Sequence, residues 1–500
     1  MEYIQKLLLN ENDLVSDSML DMLPDFVDEI FKYFPKEADI ILSLKILPLV
    51  HLSIGKESKH FAESYAVLIF KMSHSSFVDF EVPFLLQLSH DPNPFYRSTI
   101  ATVIGFLVEY INPTSWWNAL LELFSNLSSD THNEIRADVP PLVALYCQKS
   151  TSPREKSQLS GKFSLFCRDP SSRVRCSAAE NIVSLTEGLD SASKLFIVPI
   201  VNLLMSDPSD TVRKTLSQNL GPLLSTIGDK AKPSLVIKYC TALNSPDVNI
   251  SYSAAFSFAA VALSLGVSRF QELKESFERA INSSEYRIRR TLSYSFFKFA
   301  NFFSPSEALE IAIGFLMDIP SVAIGIMSSL GDMIDYFDKK ESLFEFMEHP
   351  ALYEDWRMRL EISKQLRKCK KYFQKEKLIN VAFQLLKDPV WKVRKDASLS
   401  YAMLMSKDDF PKLLELVNDK NYFEREIAAD IIAQSCNEYW NDFMKLLEKL
   451  CDDIVPNVRT AAARAVAEFT KKVDNNEELN QLVNKLKSDE DEDVRKAMLN

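Results

Sequence analysis

Along LFIVPIVNLLMSD, residues 195–207, apolar side chains recur three and four positions apart at Ile197, Ile200, Leu203 and Leu204. That spacing predicts a helix with one buried face. The pattern stops at a polar turn and restarts with Val212 beside Arg213. The same sequence of apolar helix, Asp-containing turn and second helix returns along the chain. The residue before the turn Arg is apolar at Val174, Val212, Ile288, Met358, Val393, Val458 and Val494, and is expected in the core. Small residues follow, as in Ser177, Ala178 and Ala179 or Ala461, Ala462 and Ala463, and let helices approach closely. Three first helices carry Pro eight residues before the Asp, at Pro83, Pro199 and Pro411. A Pro inside a helix bends it, so a shared bend is expected.

The turns keep a register. Asp is followed six residues later by Arg at Asp91/Arg97, Asp130/Arg136, Asp169/Arg175, Asp207/Arg213, Asp388/Arg394, Asp419/Arg425, Asp453/Arg459 and Asp489/Arg495. Arg289 and Arg359 keep the Arg alone, Ser251 substitutes for it, and Gly325 fills the remaining slot. Successive slots lie 39, 39, 38, 38, 38, 36, 34, 35, 31, 34 and 36 residues apart. A period in this range, held over the chain, is that of HEAT repeats, and predicts an all-α solenoid, a superhelix of about a dozen units. Weaker units around Met19–Phe31 and Phe61–Met72 enter that count. The turn Asp can accept from free backbone N–H groups and start the next helix. When units stack, Asp of one and Arg of the next are expected to form a structural ladder of charge-assisted hydrogen bonds.

Composition narrows the function. The 500 residues are 46% apolar and 25% charged, with 10 Gly and a net charge of −11 without a basic tract. A nucleic-acid role normally needs a basic face, so none is expected. The seven cysteines, at 147, 167, 176, 240, 369, 436 and 451, form no CxxC pair and no metal-spaced cluster, and read as small core residues of a reducing compartment. The start, MEYIQKLLLNENDL, lacks the features of a secretory signal. The longest uncharged run, Val248 to Ser268, is long enough to span a bilayer but holds seven Ser, Asn and Tyr residues, so a buried helix is expected and no membrane role. The cytosol is the expected location, with the nucleus left open.

Catalysis finds no foothold. HEAT-like hydroxylases carry His-Glu pairs for two irons, whereas the six His here are followed by Leu, Phe, Ser, Asp, Asn or Pro. No GxSxG, phosphate-binding Gly loop or zinc motif occurs. The expectation is a binding protein with no cofactor and no metal.

One register position stands out. Three residues before the ladder Arg, the later repeats place Tyr286, Trp356, Trp391 and Tyr422, where earlier ones have Pro94, Asn133, Ser172 and Asp210. Arg287, Arg357 and Lys392 follow three of the rings. Aromatic and Arg side chains in exposed turns are the types that dominate interface energetics, so these seven residues form the expected partner site. Each ring could instead fold back over its neighbour's turn. Trp116 and Trp117 fall in a first helix and are expected in the core.

EYRIRRTLSYSFFKFANFF (285–303), GFLMDIPSVAIGIMSSL (314–330), LFEFMEHPALYEDWRMRLEISKQL (343–366) and DDIVPNVRTAAARAV (452–466) resemble, in this order, the late repeats of regulatory subunit 1 of protein phosphatase 4. They resemble next the scaffold A subunit of protein phosphatase 2A, with its D-x-W-R-x-R and P-N-V-R patterns. The likeness covers 285–500; residues 1–284 share only the general HEAT pattern, all within one solenoid of 1–500. It implies a non-catalytic regulatory or scaffold subunit that binds a serine/threonine phosphatase catalytic subunit, and a further regulatory subunit or substrate protein. Trp356 and Arg357 match the family's Trp-Arg pair, and Trp391 and Tyr422 match aromatics of the following turns. The competing class is an importin-type adaptor, which would hold basic cargo on acidic inner helices.

Overall fold

A computed structural model describes the backbone of all residues except 1, 11, 55–58, 111–112, 192, 436–439, 472–476 and 499–500. Side chains are described for the same residues less 13, 59–60, 113–119, 195 and 440–441, so Trp116 and Trp117 lie outside the described side chains. Every described regular element is helical. The chain divides into two compact units, Met1–Ala280 and Ile281–Asn500, each a stretch of paired-helix solenoid.

The second helices of the repeats carry the register. In the first unit they are α1 (Pro94–Tyr110), α2 (Asn133–Lys149), α3 (Ser172–Gly188), α4 (Asp210–Ile227) and α5 (Val248–Leu265). In the second they are α6 (Tyr286–Ser295), α7 (Pro320–Met327), α8 (Trp356–Lys368), α9 (Trp391–Leu404), α10 (Tyr422–Ser435), α11 (Pro456–Thr470) and α12 (Glu492–Ala497). Within a unit, successive second helices make the most extensive contacts, such as α2 on α3, α4 on α5 and α10 on α11. The apolar residue before each Arg is buried, as are the small residues Ala178, Ala179 and Ala461 to Ala463. Of the face read from LFIVPIVNLLMSD, Ile197, Ile200 and Leu204 are buried, whereas Leu203 points outward.

Each of the three prolines follows an irregular helical turn. Pro83, Pro199 and Pro411 sit in the first turn of Val82–Leu88, Ile197–Met205 and Phe410–Val417. A π turn (Phe77–Glu81) or a 3-10 turn (Ser193–Phe196, Lys407–Asp409) precedes each. The chain is already helical before each Pro, and the irregular turn falls where proline cannot make the usual bond to the fourth residue before it.

α5 is long and apolar enough to cross a membrane, and half of it is buried. Ser251, Ala254, Ala255 and Phe258 face inward, while Tyr252, Phe256 and Leu263 face out. The Tyr239 hydroxyl donates to the Ala254 carbonyl at 2.7 Å and ties α5 to the first helix of its own repeat, Pro233–Leu243. Burial pushes the Cys147 thiol up to about 11 and the Cys369 thiol up to about 12, as for packed apolar side chains.

The turn geometry explains the repeated Asp and Arg. Asp207 Oδ1 accepts from the Ser209 N–H at 2.8 Å, and Asp388 Oδ1 from Val390 N–H at 2.8 Å, closing the turn. Each Arg then donates from Nη1 to the carbonyl six residues before it, as Arg175 does to Asp169 at 2.8 Å, and as Arg289 and Arg359 do to Ser283 and Tyr353. With one edge so occupied, the guanidinium fork faces the following repeat. The pairing therefore runs from the Arg of one repeat to the Asp of the next, opposite to the direction expected from sequence. Nε and Nη2 of Arg97 reach Asp130 at 2.6 and 3.0 Å, Arg136 reaches Asp169 at 2.8 and 2.9 Å, and Arg175 reaches Asp207 at 2.6 and 2.9 Å. In the second unit Arg289 holds Asp318, Arg359 holds Asp388, Arg425 holds Asp453 and Arg459 holds Asp489 in the same two-pronged way.

Not every Asp and Arg of the register enters a pair. The slot after Arg213 holds Ser245, so Arg213 pairs with Asp210 on its own helix, while Lys214 links Asp210 to Asp247. Arg394 lies over the Phe423 ring at 4.9 Å, and Asp419 receives only its own turn's Asn421 N–H and, through its carbonyl, Arg425. Asp91 and Arg495 make the same within-turn bonds at the two ends of the series. Asp318, one residue off register, was invisible to the Asp/Arg count.

The ladder sets an acid limit. Hydrogen bonds from Arg175, Arg289 and Arg459 hold the carboxyls of Asp207, Asp318 and Asp489 below their ordinary value, against desolvation. A lowered folded pKa gives stability that is complete above the unfolded value, about 3.9, and is lost as pH falls through the folded values. Melting followed by circular dichroism should therefore show no ladder contribution to pH dependence from about pH 7 to 5, and a steep loss below about pH 4. In Arg175→Ala that acid limb should be shallower.

Candidate interaction surface

The aromatic positions are not in the turns. Tyr286, Trp356, Trp391 and Tyr422 are each the first residue of a second helix, α6, α8, α9 and α10. Glu285 and Asp355 cap two of these starts by accepting from Arg287 and Arg357 N–H. A first-turn side chain points back over the turn but stays on the helix face, because Cα–Cβ bonds tilt toward the N-terminus.

The structure brings some of these residues together and separates others. Arg357 lies over the Trp356 ring at 4.9 Å and Lys392, from the next second helix, approaches the same ring at 5.9 Å. Trp391 is 56% exposed, with Lys395 over its ring at 5.1 Å. Tyr422 is half-buried against Phe423, ring centroids 4.1 Å apart. Tyr286 is exposed with Arg287, but the next register position is Val322, which is fully buried, so Tyr286 stands apart from Trp356. The row ends at Pro456.

Two grooves flank Trp391. The first, about 370 Å³, is lined by Leu360, Lys364, Trp391, Lys392, Lys395 and Leu399 among others, and lies between α8 and α9. The second, about 490 Å³, runs on past Glu426 and Arg464 to Asp491 and Asp493. Arg367 of α8 holds Asp396 of α9 at 2.9 and 3.2 Å and also donates to Ser400 Oγ at 2.7 Å, so the wall between the two helices is fixed. Burial pushes the Asp430 carboxyl up against the pull of Lys395 and Arg464, and burial together with Asp430 raises Glu426. Mixed charge thus meets at α10, with cations on the α8–α9 side.

Sequence reasoning missed Phe423, the partner of Arg394, and the cations Lys364 and Lys395. A four-residue step from Trp391 to Lys395 was a usable signal, since residues four apart share a helix face. It also missed a network in the first unit, where His51 Nε2 lies 3.1 Å from Glu81 and 3.0 Å from the Tyr65 hydroxyl, which donates to Glu81 at 2.5 Å. His51 and Glu81 lie thirty residues apart, beyond any local pattern. No group of three or more His, Cys, Asp or Glu gathers for a metal among the described residues.

No family model matches the sequence and no curated protein matches it. Solved structures do. Kap121p matches with a TM-score of 0.58 at 14% identity, covering 94% of this chain and 53% of its own. The karyopherin Kap121p bound to the SUMO protease Ulp1p gives 0.60 at 13%, with the same coverage. Kap95p, in a structure concerned with RanGDP and nuclear import complex assembly, gives 0.62 at 12%, covering all of this chain and 70% of Kap95p. The chain spans about half the length of the Kap121p chains it matches. At this identity the likeness is one of fold: a HEAT-type α-solenoid.

Proposed function

We propose that this protein is a non-catalytic HEAT adaptor that binds protein segments along the second-helix face of its second unit. The observation that carries this is Trp391, left more than half exposed between two grooves. A large exposed ring with a cation held over it is an anchor type typical of interfaces. The importin-type reading is favoured over the phosphatase-subunit one, because karyopherins share the fold over nearly the whole chain. The phosphatase reading is kept second by one observation: Trp356 and Trp391, both matched to that family, line up on neighbouring helices. Neither nucleic acid nor membrane enters either reading, and both cytoplasm and nucleus suit an adaptor.

The test is a quantitative comparison of proteins recovered by tagged wild type and Trp391→Ala, with melts alongside. Loss of an anchor should weaken the dependent partners by about 2 kcal/mol or more, roughly thirtyfold, while the melt moves by less than about 1 kcal/mol. Identical recovery by both proteins would remove the surface from the proposal. Recovery of a phosphatase catalytic subunit that depends on Trp391 would turn the choice to the second reading.

A further inference from the structure

We infer that the α8–α9 groove docks an acidic peptide segment bearing an apolar anchor residue. This rests on the adaptor reading and gives its partner a chemistry. It is opposite in sign to the basic cargo that the competing importin-type class would hold on acidic inner helices.

Charge is the first ground. Residues 356–396 hold thirteen Lys and Arg against four Asp and Glu, within a chain of net −11. The excess was hidden from a search for runs because it is spread at helical spacing; the fold collects part of it on one face. In the groove, Lys364 is tied to Glu361 at 2.7 Å, and Asp396 is neutralised by Arg367. Lys392 and Lys395 form no direct ion pair among the described residues: Lys392 lies at the Trp356 ring and Lys395 over Trp391, from where it also pulls on the Asp430 and Glu426 carboxyls of α10. Two lysines fixed over rings, with their ammonium groups open to solvent, are preorganised for carboxylates. Leu360, Leu399 and the Trp391 edge give the same groove an apolar side, where an aliphatic or aromatic side chain can be buried.

A peptide fits better than a polynucleotide. Trp356 has cations at it from Arg357 and Lys392, and Lys395 covers one face of Trp391, which leaves little ring surface for stacking successive bases. Past Trp391 the surface turns acidic at Glu426, Asp491 and Asp493, which would repel a continuing phosphate backbone. A short run of Glu or Asp around one apolar residue ends before that point.

The experiment uses the full chain and fluorescence anisotropy with three labelled probes: a short Glu-rich peptide with one Phe, its Gln-for-Glu counterpart, and a single-stranded oligonucleotide. The Glu/Phe peptide should bind, should weaken about tenfold or more on Lys392→Glu/Lys395→Glu, and should weaken with added salt. The Gln counterpart should bind no better than that variant does. Absence of Glu/Phe binding, tighter binding of the oligonucleotide, or equal binding of the Gln peptide would each overturn the inference. So would a wild-type dimer in sedimentation that the charge-reversed variant abolishes, since the groove would then be taken by a second copy. If the Glu/Phe peptide fails while Trp391-dependent partners persist, the adaptor reading stands and only the acidic segment falls.

Discussion

Arg175→Ala should lower the stability of its neighbourhood by about 3–5 kcal/mol, while Arg213→Ala should cost less than about 1 kcal/mol. Sequence treats the two as equivalent members of one register. In the fold, Arg175 and Asp207 keep only 11% and 4% of their side-chain surface, and Arg175 makes two bonds to the carboxylate and two to its own turn's carbonyls. Removing it leaves the Asp207 carboxylate nearly buried, with the Ser209 N–H as its remaining hydrogen bond and the more distant Arg213 charge as partial compensation. An uncompensated buried charge is what makes breaking such a pair costly. Arg213 makes the same two bonds to its turn's carbonyls, at Asp207 and Pro208, but it keeps 39% of its surface and its carboxylate partner Asp210 keeps 63%, so water replaces most of what the mutation removes. Hydrogen exchange read by mass spectrometry over residues 172–227, with denaturant melts of the whole chain, measures both. Equal losses in the two variants would show that the Arg175–Asp207 pair is not a structural clamp.

Gly325→Ala should destabilise the second unit by about 3 kcal/mol, although Gly to Ala in a free helix stabilises by about 1 kcal/mol. Gly325 occupies a slot where the register usually has Arg. A Cβ there would stand 2.2 Å from Ser293 Oγ and 2.7 Å from the Tyr294 ring. The Ser293 hydroxyl is itself engaged, 3.0 Å from the Val322 carbonyl and 2.8 Å from that of Arg290, so it cannot yield freely. Without a side chain, α6 and α7 meet backbone to side chain at this point, so this repeat receives a clamp at Asp318 but sends no Arg to the next. Adding Ser293→Ala should restore part of the loss, because it removes the nearer contact and leaves the Tyr294 one. Calorimetry of the single and double variants decides the matter. A Gly325→Ala protein as stable as wild type would mean that the helices have room to part.

Much of the fold was legible because solenoid repeats are local. A period of 31–39 residues, apolar faces at three-and-four spacing and Asp-x5-Arg turns are all short-range patterns, and each repeat contacts chiefly its neighbours. Composition alone does not say that an α-helix starts one residue before Pro411, after a 3-10 turn. The site was only half legible. Trp356 and Trp391 were found by register, but Tyr286 was grouped with them although buried Val322 lies between.

Residues a few positions apart are enough to set the helical class, the repeat period and the turn that each Asp closes. Which Arg clamps which Asp, the forward run of the clamp and the departure of Arg394 to Phe423 all wait on the packing of one repeat against the next. It alone gathered Leu360, Lys392, Lys395 and Trp391 into one groove. These are contacts between side chains some thirty residues apart, and they exist only once neighbouring helices pack, as α6 and α7 do at Gly325. Spacing along a chain fixes which face a side chain takes; what that face meets is fixed by the packing of the next repeat.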